Sequence, residues 1–244
     1  MKISVVTTTK SKTKNILRLT QSLNKIKKDI YEFIVVDAGT PDIYDIVIED
    51  FKFPQIIDGI GSSRGEGKNI GVRKAKGDVI AFLDDDTEVG MTWIDELKKS
   101  MKNEDIVAGY SPNPIGPTMP RVPIFVDGQD LTWPTCNIAY KKKIFDKIGY
   151  FDKDLITGED IDFNLRCVID GYIIYYNPKM VAKHYHRTTF KGFAKQAFWN
   201  GYGRKQLNKK YPELKHEHKH GVGLKNIMRL GFGFLGYSLG GLLK

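Results

Sequence analysis

Apolar residues follow two different periods along this chain. Ile3-Ser4-Val5-Val6-Thr7-Thr8 and Phe33-Ile34-Val35-Val36 are short β-branched runs between polar residues, the pattern of buried strands. Between them Ile16, Leu19, Leu23 and Ile26 recur at helical spacing, with Lys and Asn on the other face. Val79-Ile80-Ala81-Phe82-Leu83 reads as a third strand. A helical pattern through Trp93, Ile94, Leu97 and Met101 follows it, and then Ile106-Val107-Ala108. This alternation predicts an α/β fold with a mainly parallel central sheet, helices on both faces, and ligands at the carboxyl ends of the strands.

Residues 111–134 break the pattern with six of the ten prolines and little periodicity, which predicts a long functional loop. Beyond it come a strand at Asn137-Ile138-Ala139-Tyr140, a short helix near Ile144 to Ile148 and a helix starting around Gly158. A strand over Tyr172 to Tyr176 follows, then an amphipathic helix from Thr189 carrying Phe190, Phe193, Ala197 and Phe198.

At 244 residues the chain has ample length for a core. Charge divides it. From Lys179 onward there are fourteen Lys/Arg against Glu213 and Glu217, leaving 24 bases against 27 acids before it. The expected organisation is a main domain over 1–207 and a basic tail over 208–244, with the cations facing an anionic surface rather than nucleic acid. Cys136 and Cys167 are too few for a disulfide framework or a Cys-based zinc site. The N-terminus turns polar by Thr7 and lacks a secretory signal, so a cytoplasmic location is expected.

Three segments carry candidate chemistry. Asp84-Asp85-Asp86 directly follows a buried strand. Adjacent carboxylates raise one another's proton affinity unless a cation sits among them, and Mg²⁺ or a similar hard ion suits such a site; a solvated acidic turn is the plainer reading. Asp37 ends another strand in Val35-Val36-Asp37-Ala38-Gly39, where it can meet a base or ribose or close an Asx-turn. Ser62-Ser63-Arg64-Gly65-Glu66-Gly67-Lys68-Asn69 is Gly-rich and cationic, which fits a diphosphate or a capped helix start.

Taken in order, Val35-Val36-Asp37 with Gly39, Lys68-Asn69 with Gly71, Ala75-Lys76-Gly77-Asp78, Phe82-Leu83-Asp84-Asp85-Asp86, Gly149-Tyr150-Phe151-Asp152 and Gly158-Glu159-Asp160-Ile161-Asp162 with Arg166 resemble the family 2 glycosyltransferases of the GT-A fold. The resemblance spans about Ile3 to Gly203. It implies inverting transfer from a nucleotide-diphosphate sugar, of UDP or GDP type, to a hydroxyl of a glycan or lipid-linked acceptor. It further implies a divalent metal, Mg²⁺ or Mn²⁺, held by Asp84, Asp86 and a histidine, His184 or His186, with His184 preferred by its place in the motif. Asp160 is the implied general base. Thr7, Asp37, Gly39, Lys68, Asn69, Asp84, Asp85 and Arg166 are expected on the donor side, and Trp133, Glu159 and Asp162 on the acceptor side. Ala38 and Lys68 depart from the residues many members carry, which leaves base and sugar preference open.

Two other readings compete. A phosphoryl or nucleotidyl transferase would also place acids after a strand. However, Glu88 stands where the phosphatase motif has Thr or Val, and no Gly-rich loop follows the first strand. A non-catalytic membrane-binding protein on the same fold would retain the tail. There, Leu230 to Leu243 is uncharged and mostly apolar or Gly. As a helix it would reach about 21 Å at ~1.5 Å per residue, short of the ~30 Å hydrocarbon core. The expectation is an interfacial helix inserting Phe232, Phe234, Leu235 and Leu239 on the cytoplasmic face of a membrane; packing back on the domain is the alternative.

Overall fold

The computed structural model describes residues 1–10, 15–39, 54–115, 123–185, 189–212 and 224–239. His186, the histidines at 216, 218 and 220, and parts of the 111–134 segment and the tail lie outside them.

An eight-stranded sheet organises the chain, in the order β3 (Pro54–Asp58), β2 (Glu32–Asp37), β1 (Ile3–Thr9), β4 (Val79–Leu83), β9 (Asn137–Lys141), β6 (Ile106–Tyr110), β10 (Ile174–His184) and β5 (Thr87–Val89). Pairings β3–β2, β2–β1, β1–β4 and β6–β10 are parallel; β9 runs antiparallel to both β4 and β6, and β5 antiparallel to β10. The expected mainly parallel sheet is therefore present, with one reversed strand at its centre.

Strand alternation sorts the core onto two faces. Val5, Phe33, Val35 and Ala81 face α1 (Asn15–Asn24) and the helix Trp93–Met101, α3, whose Leu19, Leu23, Trp93, Ile94 and Leu97 complete one cluster. Val6, Ile34, Val36, Ile80 and Phe82 face the other way. There they meet α2 (Arg64–Lys74), α4 (Lys143–Ile148) and α5 (Glu159–Ile169) through Val72, Phe145 and Phe163. Phe82 makes edge contacts with Tyr140, Phe145 and Phe151 on this side.

Asn137, at the start of β9, ties three strands and a helix. Its Nδ2 donates to the carbonyls of Met180 at 2.8 Å and Tyr110 at 3.2 Å, and its Oδ1 accepts from Trp93 Nε1 at 2.9 Å. Gly109 leaves room for it, since a Cβ there would lie 2.3 Å from Asn137 Nδ2. Asn137→Ala strands buried groups and is expected to cost about 3 kcal/mol, at ~1–3 kcal/mol for each polar group left unsatisfied, read as a lowered urea midpoint.

Two expectations need amending. The 111–134 segment is not all irregular: β7 (Phe125–Val126) and β8 (Gln129–Asp130) form a hairpin, turned by Asp127 and Gly128 at φ 49° and 75°. Asp-Gly is a strong signal for this turn. Ile124 and Leu131 flanking the hairpin are buried in the core. β10 is longer than Tyr172 to Tyr176 and carries on, past an irregularity between Asn177 and Val181, to His184. The described part of the apolar tail packs on the helix before it. α7 (Leu224–Leu239) crosses α6 (Phe190–Lys210), which runs on beyond residue 207. A Cβ at Gly201 would lie 1.8 Å from Gly233 O, and one at Gly236 1.9 Å from Phe198 O.

Candidate active site

The ends of β1, β2 and β4 lie side by side, with Thr9 in register with Asp37 and Val6 with Phe82. Thr7 Oγ1 donates to Leu83 O at 2.9 Å and Thr9 Oγ1 to Asp85 Oδ2 at 2.6 Å. The chain then turns, with Thr87 donating to Asp84 O through both N–H and Oγ1. It runs back as β5, whose pairing sets Thr87 opposite His184; Tyr185 N–H in turn bonds Asp86 O at 3.0 Å.

This brings Asp84, Asp86 and His184 together, each offering one ligand atom within 4.8 Å of the others. His184 Nε2 lies 2.9 Å from Asp86 Oδ1 and 3.9 Å from Asp84 Oδ2. Asp86 Oδ1 is buried, with the His184 imidazole as its close polar neighbour. Two carboxylates and an imidazole converging in this way fit ligands aimed at a shared cation. The donor set of two carboxylates and one imidazole suits Mn²⁺ as well as Mg²⁺. Burial, with Asp86 close by, raises Asp84 despite the pull of His184 and Lys68. Asp85 is pushed up to about 6, by burial first, against its bond from Thr9. A cation would relieve all three acids.

The second half of the site is the start of α5. Gly158, at φ 84°, caps it, and Glu159, Asp160 and Asp162 occupy its first turn, where the helix dipole favours negative charge. Lys68 of α2 is buried and paired with Glu159. Burial opposes its charge, but Glu159, Asp160 and Asp84 outweigh that and raise it. Asp160 itself goes up to about 6 through burial and the neighbouring Glu159, held back by Lys68. One cation thus links the base candidate to the acidic cluster.

Other expected residues sit behind the site. The glycines of α2 serve close packing: a Cβ at Gly71 would lie 2.3 Å from Val6 Cγ1, and one at Gly65 2.6 Å from Asp152 O. Ser63 caps this helix, accepting from Glu66 N–H. Asn69 exchanges two hydrogen bonds with the Phe151 backbone, each of 2.9 Å. Arg166 grips Asp162 Oδ2 and the carbonyls of Ile148 and Tyr150. Asp162 is wholly buried, its Oδ1 taken by Lys210 and Tyr211. Asn69 thus ties α2 to the Phe151 backbone, and Asp162 and Arg166 tie α5 to the loop before it and to the end of α6. Asp37 Oδ1 accepts from Gly39 N–H in an Asx-turn, and Gly39 lies so near Lys10 that a Cβ would fall 2.6 Å from its carbonyl. Trp133 stacks on Tyr176 at 4.5 Å.

Two residues escaped sequence reasoning. Thr9 shares the strand face of Thr7, so alternation could have found it. Cys136 adjoins His184 and raises its proton affinity against the effect of burial; nothing in the linear pattern marks it.

The chain matches the profile of Glycosyl transferase family 2 over residues 4–151. A Methanococcus voltae protein, dolichyl N-acetyl-alpha-D-glucosaminyl phosphate 3-beta-D-2,3-diacetamido-2,3-dideoxy-beta-D-glucuronosyltransferase, is 43% identical over 51 residues, 21% of this chain and 16% of that one. The glycosyltransferase YwdF of Bacillus subtilis is 26% identical over 187 residues, covering 70% and 69% of the two chains. Among solved structures, the mannosyltransferase PcManGT of Pyrobaculum calidifontis in complex with GDP-Man and Mn²⁺ superposes with a TM-score of 0.67 at 13% identity, covering 100% of this chain and 76% of that one. That likeness is one of fold, the GT-A fold. With the profile spanning β1 through Phe151 and the acidic cluster within it, the chain belongs to glycosyl transferase family 2.

Proposed function

We propose that this chain is a metal-dependent inverting glycosyltransferase that moves a sugar from a UDP or GDP sugar onto a hydroxyl of a glycan or lipid-linked acceptor. The observation that carries this reading is the Asp84, Asp86, His184 cluster, with the buried Asp86 Oδ1 2.9 Å from His184 Nε2, beside an Asp160 raised to about 6. Asp84, Asp86 and His184 would hold Mg²⁺ or Mn²⁺. When bound, the ion offsets charge developing on the departing diphosphate.

Asp160 accepts the acceptor hydroxyl proton as the acceptor oxygen bonds the anomeric carbon. The bond from that carbon to the diphosphate oxygen breaks, the electron pair leaving with the nucleoside diphosphate. Glu159 and Lys68 keep Asp160 in place. Asp37 and Gly39 are assigned to the nucleoside side of the crevice, and Thr7 and Asp85 to its floor. Asn69 and Arg166 support these residues from behind.

The Methanococcus voltae relative is named for a dolichyl-linked phosphate substrate, which favours a lipid-linked acceptor. No helix among the described residues is long and apolar enough to cross a membrane; the location proposed, from the basic and apolar C-terminal segment, is peripheral, on the cytoplasmic face.

A thermal-shift series with UDP and GDP sugars tests the reading. The matching donor at about 100 times its Kd, with Mn²⁺, should stabilise the fold by about 2.7 kcal/mol, a Tm rise of roughly 5–10 °C for a chain this size. No shift with any nucleotide sugar would overturn the donor assignment.

A further inference from the structure

The pair α6–α7 carries eight Lys/Arg and no acid. The glycine contacts at Gly201, Gly233 and Gly236 fix which face of α7 meets α6. Its other face is left bare: Phe234 is 70% exposed, Leu235 53% and Leu239 39%, with Phe190 at the start of α6 60% exposed. Phe190 also meets Phe232 edge-on at 5.9 Å. Contiguous exposed aromatic and aliphatic side chains mark an interaction surface.

On the same helix pair an open cleft of about 450 Å³ is lined by Lys205, Asn208, Lys209 and Tyr237. Lys205 Nζ sits 4.8 Å from the Tyr237 ring centre, and Tyr237 OH accepts from Asn208 Nδ2 at 3.0 Å. Two ammonium groups and a hydroxyl are suited to phosphate oxygens. Nucleic acid would match the cations but not Phe234 and Leu235. A second copy would bury the apolar residues but bring two cationic helix pairs together.

We infer that α6–α7 is a membrane-docking element: Phe190, Phe234, Leu235 and Leu239 enter the acyl region of an anionic bilayer, and the Lys205–Lys209–Tyr237 cleft takes a phospholipid headgroup phosphate. α6 also carries the loop leading into α5. A Cβ at Gly203 would lie 2.6 Å from Thr157 Cγ2, and Ile156 N–H bonds Gln206 Oε1 at 3.2 Å. Docking therefore holds Asp160 at a set height above the lipid. This deepens the proposed use of a lipid-linked acceptor and rests on that reading.

The test is flotation of the full chain with phosphatidylglycerol and phosphatidylcholine vesicles, comparing wild type with Lys205→Glu/Lys209→Glu and with Phe234→Ser/Leu235→Ser. Wild type should bind phosphatidylglycerol selectively; Lys205→Glu/Lys209→Glu should lose tenfold or more, since each basic residue near such a surface contributes about a factor of five, and Phe234→Ser/Leu235→Ser about tenfold or more through lost apolar insertion. Equal binding by all three proteins, or equal binding to both lipids, overturns the proposal. Displacement by millimolar inorganic phosphate would identify a free-anion site instead. A dimer lost in Phe234→Ser/Leu235→Ser would identify a second copy. Metal-dependent donor hydrolysis in solution, measured alongside, should be unchanged in both variants; if wild type binds vesicles but hydrolyses no donor, the enzymatic reading fails while docking stands.

Discussion

Asp86→Ala is expected to lower metal-dependent turnover by about 10³-fold or more, because a bound cation contributes several kcal/mol of charge stabilisation. The loss follows from geometry: Asp86 Oδ1 is the buried oxygen 2.9 Å from His184 Nε2, and without it only Asp84 and the histidine remain. The fold should survive. Asp84 and Asp85 are already raised by burial and by the charge of Asp86, so removing that charge relieves the cluster. The diagnostic is a titration of Mn²⁺ against turnover and against Tm. Wild type should show both responses, and the variant neither. Undiminished turnover by the variant in chelator would remove the metal from this site.

Asp160→Asn should reduce turnover by about 10²–10⁴-fold, the range for a general base, while leaving the donor-induced Tm shift intact. Its pH dependence is a separate check. With Asp160 pushed up to about 6, kcat/KM of the wild type should fall as pH drops through that value, and a cation nearby moves the limb lower. The same displacement carries a stability cost. A carboxyl whose folded value lies above its unfolded 3.8 binds the proton more tightly when folded, so stability falls as pH rises from about 4 to about 6 and stays lower beyond. Asn cannot ionise, so the variant should melt higher than wild type at pH 7. A lower Tm combined with normal turnover would assign Asp160 to structure and move the base elsewhere.

The strands around these residues were legible because both their faces are buried: Val5 and Val6, or Val35 and Val36, point to opposite clusters and leave an unbroken β-branched run. Direction is not encoded that way. Nothing in Asn137-Ile138-Ala139-Tyr140 distinguishes a reversed central strand from a parallel one. β3 is an edge strand and β5 has three residues, too little burial or length to set up a pattern. The site divides along the same line. Order in the sequence located Asp84, Asp86, Asp160 and His184, but spacing says only that a side chain is nearby. Whether Asn69 or Arg166 faces a ligand depends on the carbonyls of Phe151, Ile148 and Tyr150, which become neighbours only once α4 and α5 have packed.

The reversed strand also sets a timetable. β3, β2, β1 and β4 can assemble from the first 83 residues, but β6 joins them only through β9, which ends at Lys141. Until then the fully buried run Val79–Leu83 has one open edge. At ~5–20 residues per second a ribosome takes about 3–12 s to deliver the missing strand. For that interval the nascent chain offers an apolar, unpaired β-edge to any other chain within reach.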